Sequence, residues 1–314
     1  MAEVKKIATR DSYGNALAAL GAEHDDVIVL DADVSGATKT AVFQKAFPDR
    51  HYECGIAEAD MVGVAAGLST MGYVPFLSAF AMFASGRAFE QIRNSLGYPH
   101  MNVKVCATHG GISVGEDGAT HQCCEDFALM RAIPGMTVMS PSDDVEARAA
   151  VRAAYEIKGP VYIRFGRAAV PVIHEEEGYT FTVGKAETLR DGTDVAIIAN
   201  GLMVAEALTA AETLAAEGIS ASVINVCTIK PLDEETVLAA AKKCGRVITC
   251  EEHSIIGGLG EAVCALLSEK CPTPVRRIGV NDEFGHSGAA AVVLKQFGLS
   301  AEHIEEVARE LVKA

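Results

Sequence analysis

Glu53-Cys54-Gly55-Ile56-Ala57-Glu58, continuing as Ala59-Asp60-Met61-Val62-Gly63-Val64-Ala65-Ala66-Gly67, is the stretch whose reading decides the fold. Its small and apolar residues predict a helix that starts at or beside Glu58. Gly63 and Gly67, four residues apart, share one helical face and leave room for another backbone to approach. The helix start places the Glu58 carboxylate at the mouth of a dry interface, the end of a helix that favours negative charge. From these residues alone, Glu58 is either a helix-start residue or an acid held for chemistry.

Outward from this helix, strand and helix alternate. Upstream, the periodicity over 9–21 puts Ala16, Leu17 and Leu20 on one helical face. Residues 27–30, Val-Ile-Val-Leu, form a continuous apolar run of the buried parallel-strand kind, and it ends in Asp31-Ala32-Asp33. Acids at the carboxyl end of such a strand stand where open α/β sheets place their ligands. Downstream, strands are predicted over 73–77, 103–108, 137–140 and 161–165, with a helix over 85–96. Ser142 is the expected cap of a further helix that carries Asp143, Asp144 and Glu146 in its first turn. Between about 168 and 185 the alternation stops at a polar connector containing Pro171, His174-Glu175-Glu176-Glu177-Gly178 and Gly184. A second series follows: strands over 195–199, 222–226, 246–250 and 275–278, helices over 203–217, 233–243 and 259–268, and two closing helices. The expected fold class is therefore α/β, two consecutive open and mainly parallel-sheet domains. Residues 1–170 form the first, 171–187 the linker and 188–314 the second.

Composition narrows the function classes. A chain of 314 residues is long enough for two cores, and 49% hydrophobic content without Trp is ordinary for an Ala/Gly/Val-rich α/β enzyme subunit. The net charge of −15 comes without a basic cluster, which argues against a nucleic-acid partner. No apolar run approaches the roughly 18 residues of a membrane span, and no signal peptide is visible at the N-terminus. The nine cysteines, an odd number scattered through predicted core elements, read as reduced thiols of a cytoplasmic protein.

The most informative segment is the glycine-rich loop from His109 to Gln122, at the carboxyl end of the strand over 103–108. A loop His is commonly a plain surface residue. His109, Glu116, Asp117 and His121 together point instead to a shared cleft. Phe80 and Phe83 follow a strand end three residues apart, either as core or as a stacking shelf for a flat heterocycle. Arg10, Arg164 and Arg167 are each either solvated charges or cleft residues. Arg167 ends a buried-looking strand, where a planar guanidinium suits a phosphate or carboxylate.

Other motifs fail on inspection. Gly257-Gly258-Leu259-Gly260 lacks the third glycine of a dinucleotide loop, with Val263 in its place, and reads as tight strand–helix packing. Gly285-His286-Ser287-Gly288 lacks the final glycine of a nucleophile elbow, since Ala289 stands there. His121 with the adjacent Cys123 and Cys124 makes a poor metal site, and no metal ligands are assigned to this chain.

Taken together these residues are similar to the C-terminal half of a transketolase. Gly55-Ile56-Ala57-Glu58 resembles that family's glutamate motif, residues 78–83 its aromatic shelf, and Gly115-Glu116-Asp117-Gly118-Ala119-Thr120-His121-Gln122 its substrate loop. The resemblance covers essentially the whole chain and implies a pyrimidine-binding domain followed by the family's C-terminal domain. It implies thiamine diphosphate as cofactor, with Glu58 hydrogen-bonded to the aminopyrimidine ring, Phe80 and Phe83 stacked on it, and Asp33 nearby. Glu58 and His121 would take catalytic roles. His109, Asp117 and His121 would meet the sugar hydroxyls, and Arg10 and Arg167 would hold the substrate phosphate. The family commonly has a serine for that phosphate where this chain has Ala37, with Thr38 beside it.

The family's other half carries a Gly-Asp-Gly…Asn motif for magnesium and the diphosphate, and this sequence shows no such motif. The resemblance therefore implies a two-subunit enzyme, expected as α2β2, in which an N-terminal partner supplies that half and the magnesium ligands. The expected activity is transfer of a two-carbon ketol unit from a ketose phosphate to an aldose phosphate, in pentose phosphate metabolism. The alternatives are the beta subunit of a 2-oxo acid dehydrogenase, a 1-deoxyxylulose-5-phosphate synthase-like enzyme, and a non-catalytic scaffold subunit. The His-rich loop argues against the first, since an oxo acid has no run of hydroxyls to read. Loss of Glu58 or of the loop would mark the last, and both are present.

Overall fold

The computed structural model describes residues 5–313. The fold is α/β, with two mainly parallel sheets covered by helices. The first sheet has seven strands in the order Thr228–Lys230, Thr137–Met139, Val161–Phe165, Lys104–Thr108, Val74–Phe80, Val27–Asp31 and His51–Glu53. Every neighbouring pair is parallel except the first, so the carboxyl ends of the five central strands share one edge. The second sheet runs Val275–Val280, Val247–Ser254, Val195–Ala199, Ala221–Asn225 and Glu187–Arg190, the last strand antiparallel. The strand Thr228–Lys230 leaves the second series of elements to pair with Thr137–Met139 of the first sheet.

Register explains the clustering at the first sheet's carboxyl edge. Phe80 pairs with Thr108, and Thr108 with Phe165, so Phe80, His109 and the segment after Phe165 emerge side by side. A short antiparallel ribbon, Lys6–Ala8 against Ala169–Pro171, then brings the start of helix Thr9–Glu23 to the same edge. Ala8 pairs with Ala169, and Thr9 Oγ1 accepts a hydrogen bond from the Gly166 amide at 2.8 Å. Arg10 and Arg167, distant in sequence, are joined by this ribbon.

Two expectations are corrected. Helix Asp144–Glu156 is capped by Asp143, whose side chain accepts from the Glu146 amide. Ser142 instead donates its hydroxyl to Glu146 Oε2 at 2.7 Å. Asp143 is the residue with extended backbone and a carboxylate of the right reach, so it takes the capping role. The helix expected over 85–96 is not one α-helix. It is a π-helical turn at Met82–Arg87, a short α-turn at Phe89–Gln91 and a second π-turn at Ile92–Gly97.

The two sheets meet through a buried polar network. Arg164 pairs with Asp126 at 3.0 Å and donates to the carbonyls of Glu252 and Cys123, both at 2.7 Å. Tyr162 donates its hydroxyl to Asp126 Oδ2 at 2.6 Å. Removing one partner from such a buried pair costs about 3–5 kcal/mol, because the other charge is left stranded. Glu251 accepts the amides of Leu259 and Gly260, so the start of helix Leu259–Lys270 is filled by the chain's own carboxylate, as the packing reading of that glycine segment expects. The nine cysteines are free thiols, five buried and four half-buried. Among the described residues no helix is long and apolar enough to cross a membrane, and no three His, Cys, Asp or Glu side chains group as a metal site.

Candidate active site

Glu58 opens helix Glu58–Thr70, with Ala57 as the capping residue. Its side chain is 2% exposed, and both carboxylate oxygens accept from Arg87, at 3.2 and 3.0 Å. Arg87 is half exposed and lies over the Phe83 ring at 5.3 Å, a cation–π contact. It belongs to the π-turn that follows strand Val74–Phe80, and π-turns frequently mark functional segments.

Phe80 and Phe83 stack with centroids 5.8 Å apart and ring planes at 21°. Both are half-buried, and Phe83 packs in part against the core of the first sheet. His109 lies 4.0 Å from Phe80, and His121 meets Phe83 edge-on at 5.3 Å. His109 Nε2 is 3.2 Å from Arg10, and its Nδ1 is 2.8 Å from Thr108 Oγ1. Arginine only donates, so Nε2 accepts and the ring proton sits on Nδ1. Burial first, then the positive charges of Arg10, Arg167, His121 and Lys39, push the His109 pKa down to about 3. The ring is neutral at working pH.

A direct line of contacts thus runs Arg10, His109, Phe80, Phe83, Arg87, Glu58, with His121 against the aromatic pair. The remaining predicted residues lie outside this line. Arg167 donates to the Val114 carbonyl and to Glu116, at 2.6 and 2.7 Å, which ties it to the loop. Asp117 ends the 3-10 segment Ile112–Asp117 and is exposed. Asp33 is exposed as well, with its amide donating to Glu53 Oε1 at 2.6 Å. Arg164 is structural, as described above.

The loop is held from the second sheet. Glu252 Oε1 accepts the Ser113 amide at 2.6 Å, and Gln122 donates to the His286 carbonyl at 3.0 Å. Gly111 has φ 77°, and a Cβ there would lie 2.2 Å from the Glu252 carboxyl carbon, so only glycine fits. Arg87, Glu252 and Lys39 were not singled out from sequence. An arginine in a helical run and a lysine in a loop look like solvated charges until the tertiary approach is known.

Among the described residues, Gly63 and Gly67 find no approaching backbone. Beyond the chain neighbours and the helix's own backbone, no described atom lies within 4 Å of a Cβ placed on either, and Val64 between them is exposed.

Residues 5–172 match the transketolase pyrimidine binding domain and residues 184–304 the transketolase C-terminal domain. The chain is 50% identical over 306 residues to a "Putative transketolase C-terminal section" of Methanocaldococcus jannaschii, covering 97% of this chain and 96% of that protein. It is 46% identical over 304 residues to a 6-deoxy-6-sulfo-D-fructose transketolase subunit of Clostridium sp. (strain MSTE9), covering 97% and 94%. A solved structure described as "Split gene transketolase, inactive beta4 tetramer" superposes with a TM-score of 0.90 at 48% identity, covering 98% of this chain and 99% of that one.

Proposed function

The chain belongs to the transketolase family, and from that premise we propose that it is the pyrimidine-binding, C-terminal subunit of a two-subunit transketolase. The reading is supported by relatives of nearly the same span, one described as a C-terminal section and one as a split-gene transketolase. The partner would be an N-terminal subunit that binds the diphosphate and magnesium, in an α2β2 assembly. The proposed reaction is ketol transfer from a ketose phosphate to an aldose phosphate, in cytoplasmic pentose phosphate metabolism.

The observation that carries this reading is the single line from Arg10 to Glu58: one cation at one end, a neutral histidine and two half-buried rings in the middle, and at the other a buried carboxylate reached through Arg87. The family implies thiamine diphosphate, and these residues fit its pyrimidine half. Glu58 has Arg87 as its hydrogen-bond partner, and the aromatic pair beside it keeps exposed ring surface. When bound, the cofactor supplies the nucleophilic carbon that takes up and releases the two-carbon unit. Glu58 would hold a proton at a pyrimidine nitrogen, a strong bond in a dry site. Phe80 and Phe83 would orient the ring by stacking. His109, its tautomer set by Arg10 and Thr108, would meet sugar hydroxyls with His121 and Asp117. Arg10 and Arg167 would bind the phosphate, and Asp33 would lie beside the cofactor.

The test is Glu58→Ala in the complete two-subunit enzyme. Turnover is expected to fall about a hundredfold or more, the usual contribution of a general acid–base group. Unchanged turnover would remove Glu58 from the chemistry.

A further inference from the structure

The end of helix Ser35–Thr38 and the two residues after it bound the cationic end of the site, and most of the side chains over 37–40 are already committed. Ala37 has no side-chain donor, and its carbonyl accepts from Arg10 at 3.1 Å. Thr38 and Thr40 are buried and both donate to Asp31 Oδ2, at 2.6 and 2.8 Å. Lys39 remains. Its backbone stands at φ 74°, the left-handed cap that ends helix Ser35–Thr38 and turns the chain toward helix Thr9–Glu23. Helix Thr9–Glu23 presses on it through Gly14, where a Cβ would lie 2.7 Å from Lys39 Cβ. The stem of Lys39 is thus fixed against the same helix that carries Arg10.

We propose that Lys39 is the third cation of the substrate-anion site, acting with Arg10 and Arg167 on the terminal phosphate of the sugar. The proposal rests on the sugar-phosphate reading given above. Lys39 is one of the positive charges, with Arg10 and Arg167, that depress the pKa of His109. Each outer cation is balanced in the free protein by an exposed carboxylate: Lys39 by Asp11 at 3.1 Å, Arg167 by Glu116 at 2.7 Å. Exposed pairs of this kind are weak, so a dianion can take the cations from them.

The complete two-subunit enzyme, with thiamine diphosphate and magnesium, is assayed with fructose 6-phosphate and with unphosphorylated fructose as ketol donors. For Lys39→Met, KM for the phosphorylated donor is expected to rise on the order of ten- to a hundredfold, the range of one charge-assisted hydrogen bond, with kcat little changed. Behaviour with fructose should be unaltered. Lys39→Arg should restore most of the affinity, and Asp11→Asn, which frees the ammonium, should lower KM. An unchanged KM in Lys39→Met, or an equal rise with both donors, overturns the proposal. If the wild-type enzyme transfers ketol from neither donor, the functional reading fails. Lys39 is then judged by calorimetric titration of the chain with inorganic phosphate. Weaker binding in Lys39→Met supports the anion site, and identical binding refutes it.

Discussion

His109 combines a left-handed backbone, φ 59°, with ring contacts to Arg10, Thr108 and Phe80. Surrounding cations and burial both favour the neutral ring, so it should stay neutral, with the proton on Nδ1, across pH 5–8. Ring nitrogen shifts followed by NMR should show no titration there, and protonation near pH 6.5 would contradict the assignment. At this scale the sequence was informative where unusual residues crowd together. Two histidines and two acids in one glycine-rich loop, or two phenylalanines at a strand end, are visible before any fold is known. Arg87 was not, because its meaning comes from Glu58, 29 positions away, and from the π-turn that carries it. Lys39 was hidden for a similar reason. Its neighbours had to be shown to be spent before its own position meant anything.

The helices and buried strands were legible from apolar runs and periodicity, since a buried parallel strand can be little else than a short unbroken apolar stretch. The three-residue strands Lys6–Ala8, Ala169–Pro171 and Thr228–Lys230 were not, because they are defined by partners rather than by pattern. The polar connector also held a hidden element of order. His174 is buried, 3.0 Å from Asp143, which caps helix Asp144–Glu156, and 3.2 Å from Glu187 of the second sheet. Tyr179 packs on its ring, and Glu146 adds negative charge. Burial lowers the pKa of this imidazole, but the hydrogen bond and charge of Asp143, with Glu146 and Glu187, outweigh it and raise the pKa above 6.5. A histidine whose pKa is raised on folding contributes stability that is full below its unfolded pKa and lost as pH rises through the folded one. The stability gap between wild type and His174→Gln should therefore be larger at pH 6 than at pH 9, measured as urea midpoints. A gap independent of pH would mean that the ring acts by packing alone.

Across the whole molecule, the second sheet holds the glycine-rich loop from His109 to Gln122 through Glu252 and Gln122, and the strand Thr228–Lys230 is built into the first sheet. The two sheets thus share one buried network around Arg164, and the candidate site depends on both. Two features still face outward: the glycine-bearing face of helix Glu58–Thr70, and the exposed sides of the aromatic pair. Sequence could announce that face only as a spacing of glycines, since nothing among the described residues packs on it. A site that cradles the pyrimidine half of a cofactor and leaves its other half to a second protein is the central claim. Its most direct test is ketol transfer by the purified chain with thiamine diphosphate, magnesium and sugar phosphates, before and after addition of the N-terminal subunit. No transfer before addition and robust transfer after it is the predicted result; robust transfer by the chain alone would contradict it.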